Sequence, residues 1–228
     1  MAIDFSMITT RGGDTGKSSL FGGERRYKSE PVFTVLGEID ELVSVIGMAR
    51  AALAEPGEQG IPEKPARENS RREKPGGEKN QADTLQLHGQ LKSRIREIQK
   101  ELQNISALIA TPLSGINKIR PLDKDEHAWV DYLNEIIAGL ETSEERYIAH
   151  IRLDGFIIPG DDERSARLDV ARTVCRRVER HFISFMQSLS TEYYRLVQNY
   201  INRLSDLLFI LARFIEQNPI PPGHGRRT

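Results

Sequence analysis

The chain has 228 residues, 38% hydrophobic and 29% charged, enough for one substantial domain or at a stretch two small ones. A formal net charge of −1 lacks the basic balance of a nucleic-acid binder or a membrane-surface protein. No apolar run approaches the ~20 residues of a membrane span, a lone Cys175 rules out an internal disulfide framework, and Met1 to Thr10 lacks a secretory pattern. The expected setting is cytoplasmic, with neither membrane nor nucleic acid as partner.

The first element is the glycine-rich stretch TTRGGDTGKSSLFGG at residues 9–23. A Walker A loop needs a glycine, four residues and then Gly-Lys-Ser/Thr, so that backbone amides wrap a phosphate and the lysine reaches it. Here only three residues separate Gly12 from Gly16, Lys17 and Ser18, and the required position holds Arg11. The flanks are wrong as well. MAIDFSMITT is a poor buried strand, and SSLFGGERRYKSEP reads as loop without helical periodicity. A loop carrying Asp14, Lys17 and two serines can still present amides to phosphate without that fold.

A helix is expected over about 32–54, starting after Pro31. Gly37, Asp40, Ser44 and Gly47 share one of its stripes, and glycine there costs helix propensity by about 1 kcal/mol. Close approach of another helix or a ligand would account for that. Asp40 reads equally as an exposed carboxylate or as the partner of an arginine from elsewhere.

Residues 55–83 are dominated by Pro, Gly and mixed charge, with Ile61 the only large aliphatic, and are expected to be a disordered insert. From Leu91 the apolar seam Leu91, Ile95, Ile98, Leu102, Ile105 and Ile109 marks a bundle helix. A shorter helix is expected over about 123–140 with Asp123 as N-cap. The triplet Phe156-Ile157-Ile158, stopped by Pro159-Gly160, has no core of its own and packs over the bundle end or lines a pocket.

Two more seams follow. One runs Ala171, Cys175, Val178, Phe182, Phe185 and Leu189, with Cys175 read as a buried structural thiol. The other runs Val197, Ile201, Leu204, Leu208, Leu211 and Ile215, ending near Asn218 before a frayed tail at 218–228. No run alternates as a half-buried strand does. The expectation is an all-α fold of antiparallel helices in a five-helix bundle, one domain over 1–228, with an N-terminal nucleotide-binding loop.

Arg172, Arg176 and Glu179 border the fourth seam, beside Arg177 and Arg180. They read either as a solvated face with intrahelical Arg–Glu pairs or as an anion site, since guanidinium forks match phosphate oxygens. Asn202 flanks the last seam and reads as an interhelical hydrogen bond or a ligand contact, while Arg203 and Asp206 are spaced to pair locally. His88, His127, His150, His181 and His224 have no metal-ligand spacing, which argues against zinc.

TRGGDTGKSSLFGG, GEIDELVSVIG, FIIPG, ARTVCRRVER and INRLSDLLFILAR stand in the order found in PduO-type ATP:corrinoid adenosyltransferases, which the chain resembles over about residues 9–216 outside the insert. The resemblance implies a five-helix bundle assembled as a homotrimer, with active sites between subunits. It implies transfer of the 5′-deoxyadenosyl group of ATP to cob(I)alamin, releasing triphosphate. Thr10, Gly13, Asp14, Gly16, Lys17, Ser18 and Lys28 would hold ATP, completed by Arg176, Glu179 and Asn202, with Mg2+ on the phosphates and Glu179 as its candidate ligand.

By the same resemblance Arg172 pairs with Asp40 across the interface, and Phe156 lies beneath the corrin, these three with Arg176 forming the catalytic set. A corrinoid reductase and an adenosylcobalamin-dependent enzyme are the implied partners. The chain departs from the family pattern at Val43, Asp169, Ser18 and the acidic run Asp161-Asp162-Glu163. The acidic run and Val43 leave open a non-catalytic corrinoid or ATP carrier or sensor of the same fold, and a plain helical interaction module is the third reading. Replacing residues 56–82 by a short linker is expected to leave the assembly and its activity intact, checked by sizing and by turnover.

Overall fold

The computed structural model describes residues 11–21, 23–53, 78–111, 126–187 and 191–219. Their order is a short hairpin, β1 (Lys17–Ser19) and β2 (Arg25–Tyr27), followed by α1 (Pro31–Ala52), α2 (Glu78–Ile109), α3 (Glu126–Ile148), α4 (Glu163–Met186) and α5 (Glu192–Gln217). Thr10, Asp123, Leu189, His224 and most of the expected insert and tail lie outside the described residues.

Helix α5 is the axis of the bundle. Its expected seam is buried throughout, and Tyr193, Tyr200, Leu207, Ile210 and Phe214 bury further faces of the same helix. Helix α4 packs on one side of it and α3 on another, while α1 joins α4 to α2. Side-chain pairs give the directions. Ser165 meets Glu216 and Glu179 meets Asn202, so α4 and α5 run antiparallel. Glu101 meets Tyr200 while His88 meets the carbonyl of Asn218, so α2 and α5 are antiparallel as well. Glu141 meets Arg203 and His150 meets Asn218, which makes α3 and α5 parallel neighbours. Consecutive helices therefore alternate in direction, as expected of an antiparallel bundle.

The α2 seam is buried from Leu91 to Ile109, and Ala171, Cys175, Val178 and Phe182 are fully buried on α4. Cys175 donates to the Ile201 carbonyl at 3.3 Å, and burial pushes its thiol well up, which makes it a structural residue. A polar layer interrupts the apolar core where α2 meets α3 and α5. Glu101 accepts from Tyr200 at 2.6 Å and from Arg94 at 2.7 Å, and Arg94 also donates to Ser143 at 3.2 Å. Buried polar groups are tolerated only when paired in this way.

Several boundaries differ from expectation. Pro31 is the first helical residue of α1, where its missing N–H would have had no partner anyway. Helix α2 begins at Glu78, so 78–83 belong to a helix and not to the insert. A deletion that spares α2 therefore ends at 77. Helix α3 runs eight residues past 140, because Ser143 and Tyr147 stay in phase with Trp129, Leu133, Ile136 and Leu140 on its buried face. The two antiparallel strands were not expected. Each has three residues, with Lys17 opposite Tyr27 and Ser18 opposite Arg26, too few for alternation to register.

Half-buried Glu144 on α3 sits near Asp206 and Glu141, with Arg203 alongside, and its carboxyl is pushed up to about 7, first by desolvation and then by Asp206. A carboxyl whose folded pKa lies above its unfolded value of about 4.3 holds its proton more tightly when folded. The chain therefore loses stability as pH rises between those two values. Glu144→Gln is expected to raise the melting temperature at pH 8 and to leave it nearly unchanged at pH 4, measured by thermal unfolding at both.

Candidate functional site

The hairpin presents the glycine loop. Asp14 N–H donates to the Arg11 carbonyl at 3.2 Å and Gly16 N–H to the Gly13 carbonyl at 3.1 Å, two consecutive turns that tighten residues 11–16. Gly16 sits at φ 73, the left-handed region where glycine carries no steric penalty. Lys28, just past β2, returns to the loop: its N–H donates to the Gly16 carbonyl at 2.9 Å. Its ammonium lies where a side chain on Gly13 would stand, 2.7 Å from the position a Cβ would take. Lys17 Nζ lies 4.6 Å from the centroid of the Tyr27 ring across the strand pair. The loop thus carries two ammonium groups beside glycine backbone, a geometry suited to a polyanion.

Arg25, which carried no expectation, clasps this loop. Its guanidinium donates to the Gly12 carbonyl and, at 3.5 Å, to the Lys17 carbonyl. Buried Leu20 and a bond from Phe21 N–H to the Ala110 carbonyl at 2.9 Å fasten the hairpin tip to the end of α2.

The second group lies on α4 and α5. Asn202 donates to Glu179 Oε1 at 3.2 Å, so these two candidate residues do come together. Arg176 is exposed one turn before Glu179, and its carbonyl accepts from Arg180 at 3.1 Å. Arg177 is committed to α1, reaching Glu38 at 3.3 Å and also Glu41, and His181 Nδ1 lies 2.7 Å from Glu38. The arginine run thus divides between an interhelical clamp and an outward-facing remainder. Intrahelical Arg–Glu pairing does not account for Arg177, and Arg203 reaches Glu141 at 3.2 Å more closely than Asp206 at 3.8 Å.

Other candidates stand apart within one chain. Asp40 is exposed and makes no ion pair among the described residues, while Arg172 Nε bonds Asp169 at 3.3 Å on its own helix. Phe156 is fully exposed and Ile158 nearly so, so this triplet does not pack over the bundle end. Nor does any hydrogen bond among the described residues link the glycine loop to Arg176, Glu179 or Asn202. Along the α1 stripe, Gly47 is crowded by Gln99 of α2, whose Nε2 passes 3.0 Å from a would-be Cβ to donate to the Val43 carbonyl. Gly37 has nothing within 4 Å, which leaves the Gly37–Ser44 end open.

The acidic run is used locally. Asp162 caps α4, accepting from the N–H groups of Arg164 and Ser165, and its carboxylate pairs with the Arg164 side chain at 2.7 Å. Those bonds hold its carboxyl below its ordinary value despite the opposing effect of burial. Glu163 pairs with Arg167 at 2.6 Å. Among the described residues no three acidic, His or Cys side chains are grouped to hold a metal, and no helix is long and apolar enough to cross a membrane.

The described residues form a five-helix bundle with a glycine-rich loop carried on a short hairpin and an Arg176, Glu179 and Asn202 cluster on α4 and α5. The cobalamin adenosyltransferase family model matches residues 8–215, and the chain belongs to that family. It is 32% identical to a corrinoid adenosyltransferase of Bos taurus, covering 93% of this chain and 73% of that protein. It is 30% identical to one of Citrobacter freundii, covering 93% and 96%. A variant PduO-type ATP:corrinoid adenosyltransferase from Lactobacillus reuteri, solved with cobalamin and ATP, superposes with a TM-score of 0.64 at 26% identity, over 91% of this chain and 89% of that one. A second variant of that enzyme, solved with ATP, gives 0.61 at 26% identity, over 90% and 91%.

Gly13→Ala places a methyl against the Lys28 ammonium. It is expected to weaken binding of inorganic triphosphate by about tenfold, the loss of one charge-assisted hydrogen bond, with an unchanged melting temperature. Calorimetric titration reads the first and thermal unfolding the second.

Proposed function

We propose that this chain is an ATP:corrinoid adenosyltransferase, joining the 5′ carbon of ATP to the cobalt of cob(I)alamin and releasing triphosphate. Family membership supports the reaction, and the observation that carries the site is the convergence of Glu179 and Asn202 beside outward-facing Arg176. In the reaction the Co(I) electron pair forms the Co–C bond while the C5′–O bond breaks, so the departing triphosphate takes the bonding pair. No general base is needed, because no proton moves in that step. The protein's part is to align the two substrates and to hold the developing negative charge.

The glycine loop, with Thr10, Gly13, Asp14, Gly16, Lys17, Ser18 and Lys28, takes the triphosphate. Arg176 adds a planar fork to the phosphate oxygens, and the Glu179–Asn202 pair orients the nucleotide. A magnesium ion suits this arrangement: Glu179 has one oxygen on Asn202 and a second without a partner among the described residues, a hard donor of the kind this ion takes. Without a cage of three protein ligands, the phosphates would supply most of its coordination, and when bound it would neutralise phosphate charge. Phe156 meets the flat face of the corrin and excludes a lower ligand, a role that its full exposure in one chain supports.

The loop and the Arg176–Glu179–Asn202 cluster lie unjoined within a chain, which favours sites built between copies in a homotrimer, with Arg172 meeting Asp40 of the partner subunit. We take 1–228 as one domain of a cytoplasmic protein, a reducing setting that suits the free Cys175 thiol. A reductase that generates Co(I) and an enzyme that consumes adenosylcobalamin are the implied partners. The carrier or sensor reading rested on the acidic run and Val43. Asp162 and Glu163 are spent on capping and local pairing, so the carrier reading keeps exposed Asp161 and the Val43 side chain as its support.

Anaerobic mixing with chemically reduced cobalamin and ATP is expected to give the absorbance change of Co–C bond formation together with stoichiometric triphosphate. Arg176→Ala should lower kcat/KM by about 100-fold or more without moving the melting temperature. Binding of both substrates with no Co–C bond would point to the carrier instead.

A further inference from the structure

Asp169 is a departure from the family pattern, and it lies on the inner face of α4 with its side chain 5% exposed. Its two oxygens serve two different guanidiniums. Oδ1 accepts from Arg172 Nε at 3.3 Å, and Oδ2 accepts from Nη2 of Arg213 on α5. Arg213 is 1% exposed and also reaches Glu216 at 3.1 Å, while Glu216 takes the Ser165 hydroxyl at 2.7 Å. Ser165 in turn belongs to the capped first turn of α4, immediately after the segment that carries Phe156.

A buried guanidinium cannot give up its carboxylates cheaply, so Arg213 fixes Asp169 in place across the α4–α5 contact. Asp169 then holds Arg172 by Nε alone. Among the described residues the Nη1 and Nη2 atoms of Arg172 make no hydrogen bond, and its side chain is 26% exposed. A long side chain tethered near its base and free at its two terminal donors is a fork aimed by its tether.

We propose that Asp169 is a positioning residue that aims the free end of Arg172 out of α4, so that it meets Asp40 of the partner subunit ready-oriented. The proposal rests on the adenosyltransferase reading and deepens it, since the same buried carboxylate serves the bundle and the assembled site. It also makes Arg213 the anchor of Asp169 and not a participant in the reaction.

The test separates these roles. Arg213→Met keeps the Asp169–Arg172 bond and removes the buried cation. Adding Asp169→Asn then removes the charge that tethers Arg172, leaving a neutral amide oxygen as the weaker acceptor and no stranded buried charge. In the full-length protein Arg213→Met should hold the KM for cob(I)alamin within about twofold of wild type, and Arg213→Met/Asp169→Asn should raise it by about tenfold, the worth of one charge-assisted hydrogen bond. The KM for ATP should not move. In an Arg213→Met/Arg172→Ala background, adding Asp169→Asn should raise the cobalamin KM no further, because Asp169 acts through Arg172. Equal cobalamin KM values in the single and double variants, or additive losses in the triple, would overturn the proposal.

Sedimentation of the same proteins gives a readout independent of turnover: the concentration at which the assembly dissociates should rise for the double variant over the single one. An inactive wild type would defeat the adenosyltransferase reading, while the sedimentation comparison would still decide on Asp169. If the double variant does not fold, Asp169→Glu moves the carboxylate outward by one methylene while retaining the charge beside Arg213. A cobalamin KM raised in that variant supports the proposal, and a wild-type value overturns it.

Discussion

Burial of α5 on nearly every side is the constraint around which the chain is arranged. A helix that exposes mainly one narrow stripe, Glu192, Arg195, Asn199, Arg203 and Asp206, must find partners for the polar groups on its other faces, because an unpaired buried group forfeits its hydration. Tyr200 is matched by Glu101 from α2, and Arg213 Nη2 by Asp169 from α4 and Glu216 on its own next turn, while Arg213 Nε and Nη1 have no partner among the described residues. These pairs are specific in a way that apolar seams are not, since sliding α4 by one turn along α5 would separate Asp169 from Arg213. They fix the longitudinal register of the helices, and with it the height at which Glu179 faces Asn202.

Much of this was legible in the order of residues, and the reason differs from place to place. The seams of α2 and α5 could be read because deep burial demands an apolar residue at steps of three and four over five or more turns. The first turns of α2 could not, because 78–83 are polar apart from Ala82 and lack the phase of the later seam. The end of α3 was hidden by its composition, since ETSEER looks like surface although Ser143 lies on the buried face. Three-residue strands fall below the length at which a period of two can be recognised.

The site divides along the same line. Glycines and lysines in the loop stood out locally, and the Arg–Glu stripe of α4 did too. The pairing of Glu179 with Asn202 joins residues 23 positions apart, and that of Asp169 with Arg213 spans 44. Nothing in spacing predicts either contact. An arginine in LAR reads as surface by residue type, yet Arg213 is among the largest fully buried side chains. Arg25 was overlooked for the opposite reason: it sits among several charges in GGERRYK, and only geometry distinguishes the one that clasps two carbonyls.

The hairpin meets the helices mainly through Leu20 and the Phe21–Ala110 backbone bond, so its residues carry little of the energy that keeps the bundle folded. Local opening of such an appendage needs far less free energy than global unfolding. On the proposed function, two nearly independent ledgers result, one for remaining folded and one for gripping an anion. Substitutions in GGDTGKSSLFGGERRYK can retune the second over a wide range before the first registers them. Through that freedom the loop we propose for ATP can change its grip while the helices beneath stay the same.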